Sequence, residues 1–95
     1  MKKYESLYVI VPELNEEDTK SVIGKFNDII TANGGAVEKV DEWGKRRLAY
    51  AINYKTEGYY VLVVFSGEPA LPAELERNLK NDEKIMRFKV TVHHE

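Results

Sequence analysis

Apolar and polar positions along this chain switch repeatedly between a period of two and a period near four. Tyr4 to Val11 (YESLYVIV) is rich in β-branched and aromatic residues and stops at Pro12, which predicts a strand. Asn15 then offers a helix N-cap, with Glu16, Glu17 and Asp18 in the first turn, where the helix dipole favours anions. Val22, Phe26, Ile29, Ile30 and Asn33 recur at three- and four-residue steps, flanked by Ile23, the stripe of an amphipathic helix. Asn33-Gly34-Gly35 ends it. Val37 to Ile52 reads as one long strand, or two halves with an irregularity at Gly44. A turn is expected over Tyr54 to Glu57, followed by the most β-prone run, Tyr59 to Phe65, so the two strands form an antiparallel hairpin. Pro69 and Pro72 mark a second helix start, and Leu71, Leu75 and Leu79 define its buried face. Met86, Phe88, Val90 and Val92 alternate with Arg87, Lys89 and Thr91, a half-buried last strand.

The order β-α-β-β-α-β predicts an α+β, ferredoxin-like fold: a four-stranded antiparallel sheet with two helices on one face. The 95 residues suffice for a single domain spanning 1–95. The first strand and Tyr59 to Phe65 are apolar at both parities, so one apolar set points away from the helices. That set is either ordinary surface exposure or a docking surface.

Charge adds a distribution that the total conceals. Fourteen Lys and Arg stand against sixteen Asp and Glu, a formal net charge of −2 that excludes RNA binding by bulk charge alone. Trp43 to Thr56, however, holds Lys45, Arg46, Arg47 and Lys55 with no acid, and Lys84 to Val92 holds Lys84, Arg87 and Lys89 with none. The acids concentrate in Glu13 to Asp18 and Glu74 to Glu83, on the predicted helices. Arg46-Arg47 can pair phosphate bidentately, although adjacent strand residues face opposite ways. The same charges would also guard an edge strand against self-association.

Aromatic residues accompany the basic stretch: Trp43, Tyr50, Tyr54, Tyr59 and Tyr60. Rings of this kind stack on bases while cations meet phosphates. The RNA-recognition-motif pattern is poorly met, because Glu57 stands where it wants a cation and valines where it wants aromatics. Catalytic chemistry is scarce. There is no cysteine, and the two histidines, His93 and His94, form an expected frayed end rather than a metal site. The loop Pro12-Glu13-Leu14-Asn15 lacks the glycines and arginine of a ferredoxin-like acylphosphatase. The reading is a non-enzyme without cofactor, metal or small-molecule substrate. With neither a signal-peptide pattern nor a membrane-length apolar run, a cytoplasmic location off the membrane is expected.

The basic strand carries a resemblance. Gly44-Lys45-Arg46-Arg47-Leu48-Ala49-Tyr50-Ala51-Ile52-Asn53 resembles the signature of the bacterial ribosomal protein S-six family, the sixth protein of the small subunit. Met1-Lys2-Lys3-Tyr4-Glu5, Glu42-Trp43-Gly44 and Gly58-Tyr59-Tyr60 fit the same family in order and position. Ala51 departs from it, since proline is frequent there, and functions of the acidic C-terminal tail of some members are not implied.

The resemblance implies a ribosome-bound structural protein of the small-subunit platform. It implies binding to the central domain of small-subunit (16S) rRNA together with the basic ribosomal protein S-eighteen. Phosphate contacts are then expected first from Lys45, Arg46, Arg47 and Lys55, next from Lys2, Lys3, Arg87 and Lys89. Trp43, Tyr50 and Tyr59 are candidates for partner or RNA packing. The competing expectation is a ferredoxin-like regulatory module that senses a small molecule or dimerises through its sheet edges.

Overall fold

The computed structural model describes residues 2–52 and 54–93. Met1, Asn53, His94 and Glu95 lie outside the described residues, so the first and last residues of two family-like segments and the second histidine do too. The elements are β1 (Lys2–Ile10), α1 (Glu16–Ala32), β2 (Ala36–Ile52), β3 (Lys55–Gly67), α2 (Leu71–Lys80) and β4 (Ile85–Val92). They form one antiparallel sheet in the order β2-β3-β1-β4, with the helices packed on one face, so the ferredoxin-like βαββαβ reading holds.

Local chemistry starts and stops the helices where the sequence indicates. Asn15 Oδ1 accepts the Asp18 amide at 2.7 Å, capping α1. At the other end Gly34, at φ 81, takes the left-handed conformation that lets Gly35 N–H return to Ile30 O at 2.9 Å. The core lies between helices and sheet. Tyr4, Tyr8 and Ile10 of β1 and Val61, Val63 and Phe65 of β3 meet Val22, Ile23, Phe26 and Ile30 of α1 and Leu71, Leu75 and Leu79 of α2.

The opposite, helix-free face is not bare. Val9, Leu48 and Val64 are buried yet stand outside the core cluster. Leu7, Trp43, Tyr60 and Leu62 are half-buried on or beside the same strands. The surplus apolar parity of β1 and β3 is therefore buried at Val9 and Val64 and half-buried at Leu7, Tyr60 and Leu62.

Two expectations need correction. Lys55, Thr56 and Glu57 do not form the turn; they belong to β3, with Lys55 opposite Ile52 and Glu57 opposite Arg47. The turn is tighter, with Tyr54 at φ 65, because strand pairing extends further than β-propensity alone suggests. His93 is not frayed. Its amide donates to Lys3 O at 2.9 Å and its Nδ1 meets Glu5 Oε1, tying the end of β4 to β1.

Candidate nucleic-acid interface

The hairpin of β2 and β3 carries most of the candidate residues, and its register decides which way they face. Glu42 pairs with Val61 and Gly44 with Tyr60, so two residues of β2 oppose one of β3. Gly44 makes this bulge at φ 82, a conformation that costs glycine nothing. Beyond it the side-chain alternation of β2 is inverted. Lys45 falls opposite Tyr59 and Arg47 opposite Glu57, on the helix side of the sheet, whereas Arg46 falls opposite Gly58 on the helix-free side.

On the helix-free face the Trp43 ring stacks with Tyr60 at 6.2 Å between centroids and 11° between planes. The Arg46 guanidinium lies over the Trp43 ring at 4.9 Å. From β4, Arg87 lies over the Tyr50 ring at 5.3 Å. Lys89 stands across β1 from these groups, opposite Leu7, and is exposed. A shallow cleft of about 230 Å³ is lined by Leu7, Val9, Tyr60, Arg87, Phe88 and Lys89. Cations and rings are thus interleaved on one surface, the combination that suits single-stranded nucleic acid.

The helix side of the arm has a different chemistry. Lys55 Nζ donates to Glu13 Oε1 at 2.6 Å, strapping the arm to the loop before α1. That hydrogen bond, aided by the Lys55 and Lys45 charges, holds the Glu13 carboxyl below its ordinary range. Tyr59 Oη donates to Glu42 Oε1 at 2.8 Å, which pushes the phenol above its ordinary range. Tyr59 packs against the core, so it does not share a surface with Trp43 and Tyr50. Lys45, Tyr59, Glu42, Leu14, Thr19 and Lys20 line a larger cleft, about 470 Å³, beside the start of α1.

The eight candidate cations therefore fall into three places. Arg46, Arg87 and Lys89 are on the helix-free face. Lys45, Arg47 and Lys55 are on the other side of the arm. Lys2 and Lys3 lie at the far end of β1, where Lys2 pairs with Gly67 and Lys3 forms an ion pair with Glu38 at 3.3 Å. Tyr60, Glu42 and Glu13 were not among the candidates. Tyr60 was detectable in principle, since Gly44 announces a bulge that brings Trp43 beside it; the Glu13 strap spans 42 positions and leaves no local signal.

Among the described residues no cluster of three His, Asp or Glu side chains could hold a metal ion. Nor is any helix there long and apolar enough to cross a membrane.

Comparison with known proteins follows the same lines. The sequence model of the family described as Ribosomal protein S6 matches residues 3–91. Small ribosomal subunit protein bS6 of Clostridium novyi is 51% identical over 90 residues, covering 95% of each chain. The protein of the same name from Moorella thermoacetica is 48% identical over 91 residues, covering 96% of this chain and 93% of that one. The crystal structure of 30S ribosomal protein S6 from Thermotoga maritima superposes with a TM-score of 0.92 at 28% identity, over 97% of this chain and 87% of its own. With matches in sequence and in fold along nearly its whole length, the chain belongs to the ribosomal protein S6 family, a structural and non-enzymatic constituent of the small ribosomal subunit.

Proposed function

We propose that this chain binds the central domain of small-subunit rRNA cooperatively with ribosomal protein S-eighteen during platform assembly, on ribosomes in the cytoplasm. The observation that carries the reading is the separation of charge. The strands carry nine lysines and arginines, Lys45, Arg46, Arg47, Arg87 and Lys89 among them, against five acids. The helices carry six acids, Glu16, Glu17, Asp18, Glu74 and Glu76 among them, against four cations. A chain of net charge −2 gains little from phosphate attraction by itself. A strongly basic partner supplies the missing counter-charge and is drawn electrostatically to the acidic regions of this chain.

Equilibrium binding to a central-domain rRNA fragment, measured between about 50 and 200 mM salt with and without the partner, tests the proposal. The expected result is weak binding alone and tight, steeply salt-dependent binding with the partner. Tight, salt-insensitive binding by this chain alone would overturn it.

A further inference from the structure

Arg46 and Arg47 are neighbours in sequence that serve opposite surfaces. Arg46 is drawn over the Trp43 ring, which is itself stacked on Tyr60. Arg87, on the edge strand β4, reaches over the Tyr50 ring. Tyr50 belongs to a part of β2 that has left the ladder. Pairing runs from Arg47–Glu57 straight to Ile52–Lys55, so residues 48–51 face only Thr56. Such a segment lacks the regular bonds that hold a strand in place. Its position is instead set by the burial of Leu48 and by the Arg87–Tyr50 contact.

Lys45 and Arg47 stand on the other side of the arm, exposed, two residues and about 7 Å apart along the strand. Neither forms an ion pair among the described residues, although Glu57 is the cross-strand neighbour of Arg47. Lys55, on the same side, is engaged by Glu13.

We infer that Arg46 and Arg87 are positioning residues that clamp the hairpin arm to the sheet through Trp43 and Tyr50, and that Lys45 and Arg47 make the phosphate contacts. Guanidinium groups suit the clamp because they are planar and lie flat on rings, where an ammonium does not. Holding the arm in one position lowers the ordering cost of binding, so loss of a clamp weakens RNA affinity without removing a phosphate contact. This division rests on the rRNA-binding reading above.

Trp43 is the single tryptophan, which makes the clamp directly observable. Arg46→Gln should change the emission and acrylamide quenching of Trp43 in the free protein, and Arg47→Gln should leave both unchanged. In the complex with the partner, Lys45→Gln and Arg47→Gln should each reduce the slope of log K against log salt by about 1. Arg46→Gln and Arg87→Gln should lower affinity by about two- to tenfold with the slope unchanged. A slope loss for Arg46→Gln equal to that for Arg47→Gln would overturn the division, as would unchanged Trp43 emission in Arg46→Gln. Failure of the unsubstituted protein and partner to bind the RNA would remove the phosphate assignment together with the functional reading. The fluorescence result would then still decide the clamp.

Discussion

Tyr8 places a phenol in the middle of the core, and its hydroxyl is the point at which the packing can be tested most sharply. The residue is 1% exposed, with its ring 5.4 Å from that of Phe26, and its hydroxyl finds no hydrogen-bond partner among the described residues. A buried polar group without a partner costs about 1–3 kcal/mol. Tyr8→Phe removes the oxygen and keeps the ring, so it should stabilise the protein by about 1 kcal/mol, raising the melting midpoint by about 4–8 °C for a domain of this size. The pH dependence gives a second, independent readout. Burial pushes the Tyr8 phenol up, and the Glu42 charge on the same face of the sheet pushes it further in the same direction. The folded state therefore keeps its proton where the unfolded chain, with a phenol near pH 10, gives it up. Stability linked to Tyr8 is complete below about pH 10 and falls above it by about 1.4 kcal/mol per pH unit. Urea unfolding followed by circular dichroism between pH 7 and 11 should show Tyr8→Phe more stable throughout and less steep above pH 10. A residual slope is expected from Tyr59, whose phenol is raised by its hydrogen bond to Glu42. A loss of about 1 kcal/mol at pH 7 would refute the reasoning, because it would mean that the hydroxyl is hydrogen-bonded in solution, through a buried water for instance.

Three further outcomes follow from packing, charge and backbone. Leu75, 1% exposed at the centre of α2, should cost about 2–5 kcal/mol when replaced by alanine, visible as a drop in urea midpoint at unchanged slope. For Asp82, burial works upward but is outweighed by hydrogen bonds from Lys25 Nζ at 2.8 Å and the Lys84 amide at 2.9 Å, so its carboxyl sits below the ordinary range. Asp82→Asn should therefore lose about 1 kcal/mol at pH 7, reduced from a fully buried pair because Lys25 is half exposed. That loss should disappear as pH falls below about 4, where the native carboxylate also takes up its proton. Gly44 has open space where a side chain would stand but a φ of 82, so the penalty there is conformational and not steric. Gly44→Asn should cost less than Gly44→Ala, at about 1 kcal/mol, and Gly44→Val the most, as measured by thermal unfolding.

Much of the fold was legible because the signals are local. The Asn15 cap, the Gly34 stop, the leucine spacing of α2 and the alternation of β4 each act within a few residues, and each element formed where those signals stand. The hairpin was less legible because its geometry is set across strands. Gly44 signals an irregularity, yet the faces of Trp43, Lys45, Arg46 and Arg47 depend on how β2 registers against Tyr60 and Val61. Tyr59 looked like a companion of Trp43 and Tyr50 by type and proximity, but parity sends it toward the core. Composition identified which residue types the hairpin carries, and the bulge decided which of them meet.

That bulge also explains how a net-acidic chain can present a basic surface at all. In a regular strand Trp43, Lys45 and Arg47 would share one face, with Glu42 and Arg46 on the other. The extra residue at Gly44 moves Lys45 and Arg47 to the side of Glu42 and brings Arg46 beneath Trp43. Glu42 is meanwhile occupied by the Tyr59 hydroxyl and Glu13 by Lys55. Glu42 and Glu13 are thus bound within the protein, whereas Glu57 stands directly across from Arg47, and Lys45, Arg46 and Arg47 are the cations of the arm that no ion pair engages among the described residues. Screening at physiological salt acts over about 8 Å, so acids on the distant parts of the helices subtract little from their field. For such a surface the local arrangement outweighs the overall sum, and a single glycine determines the arrangement.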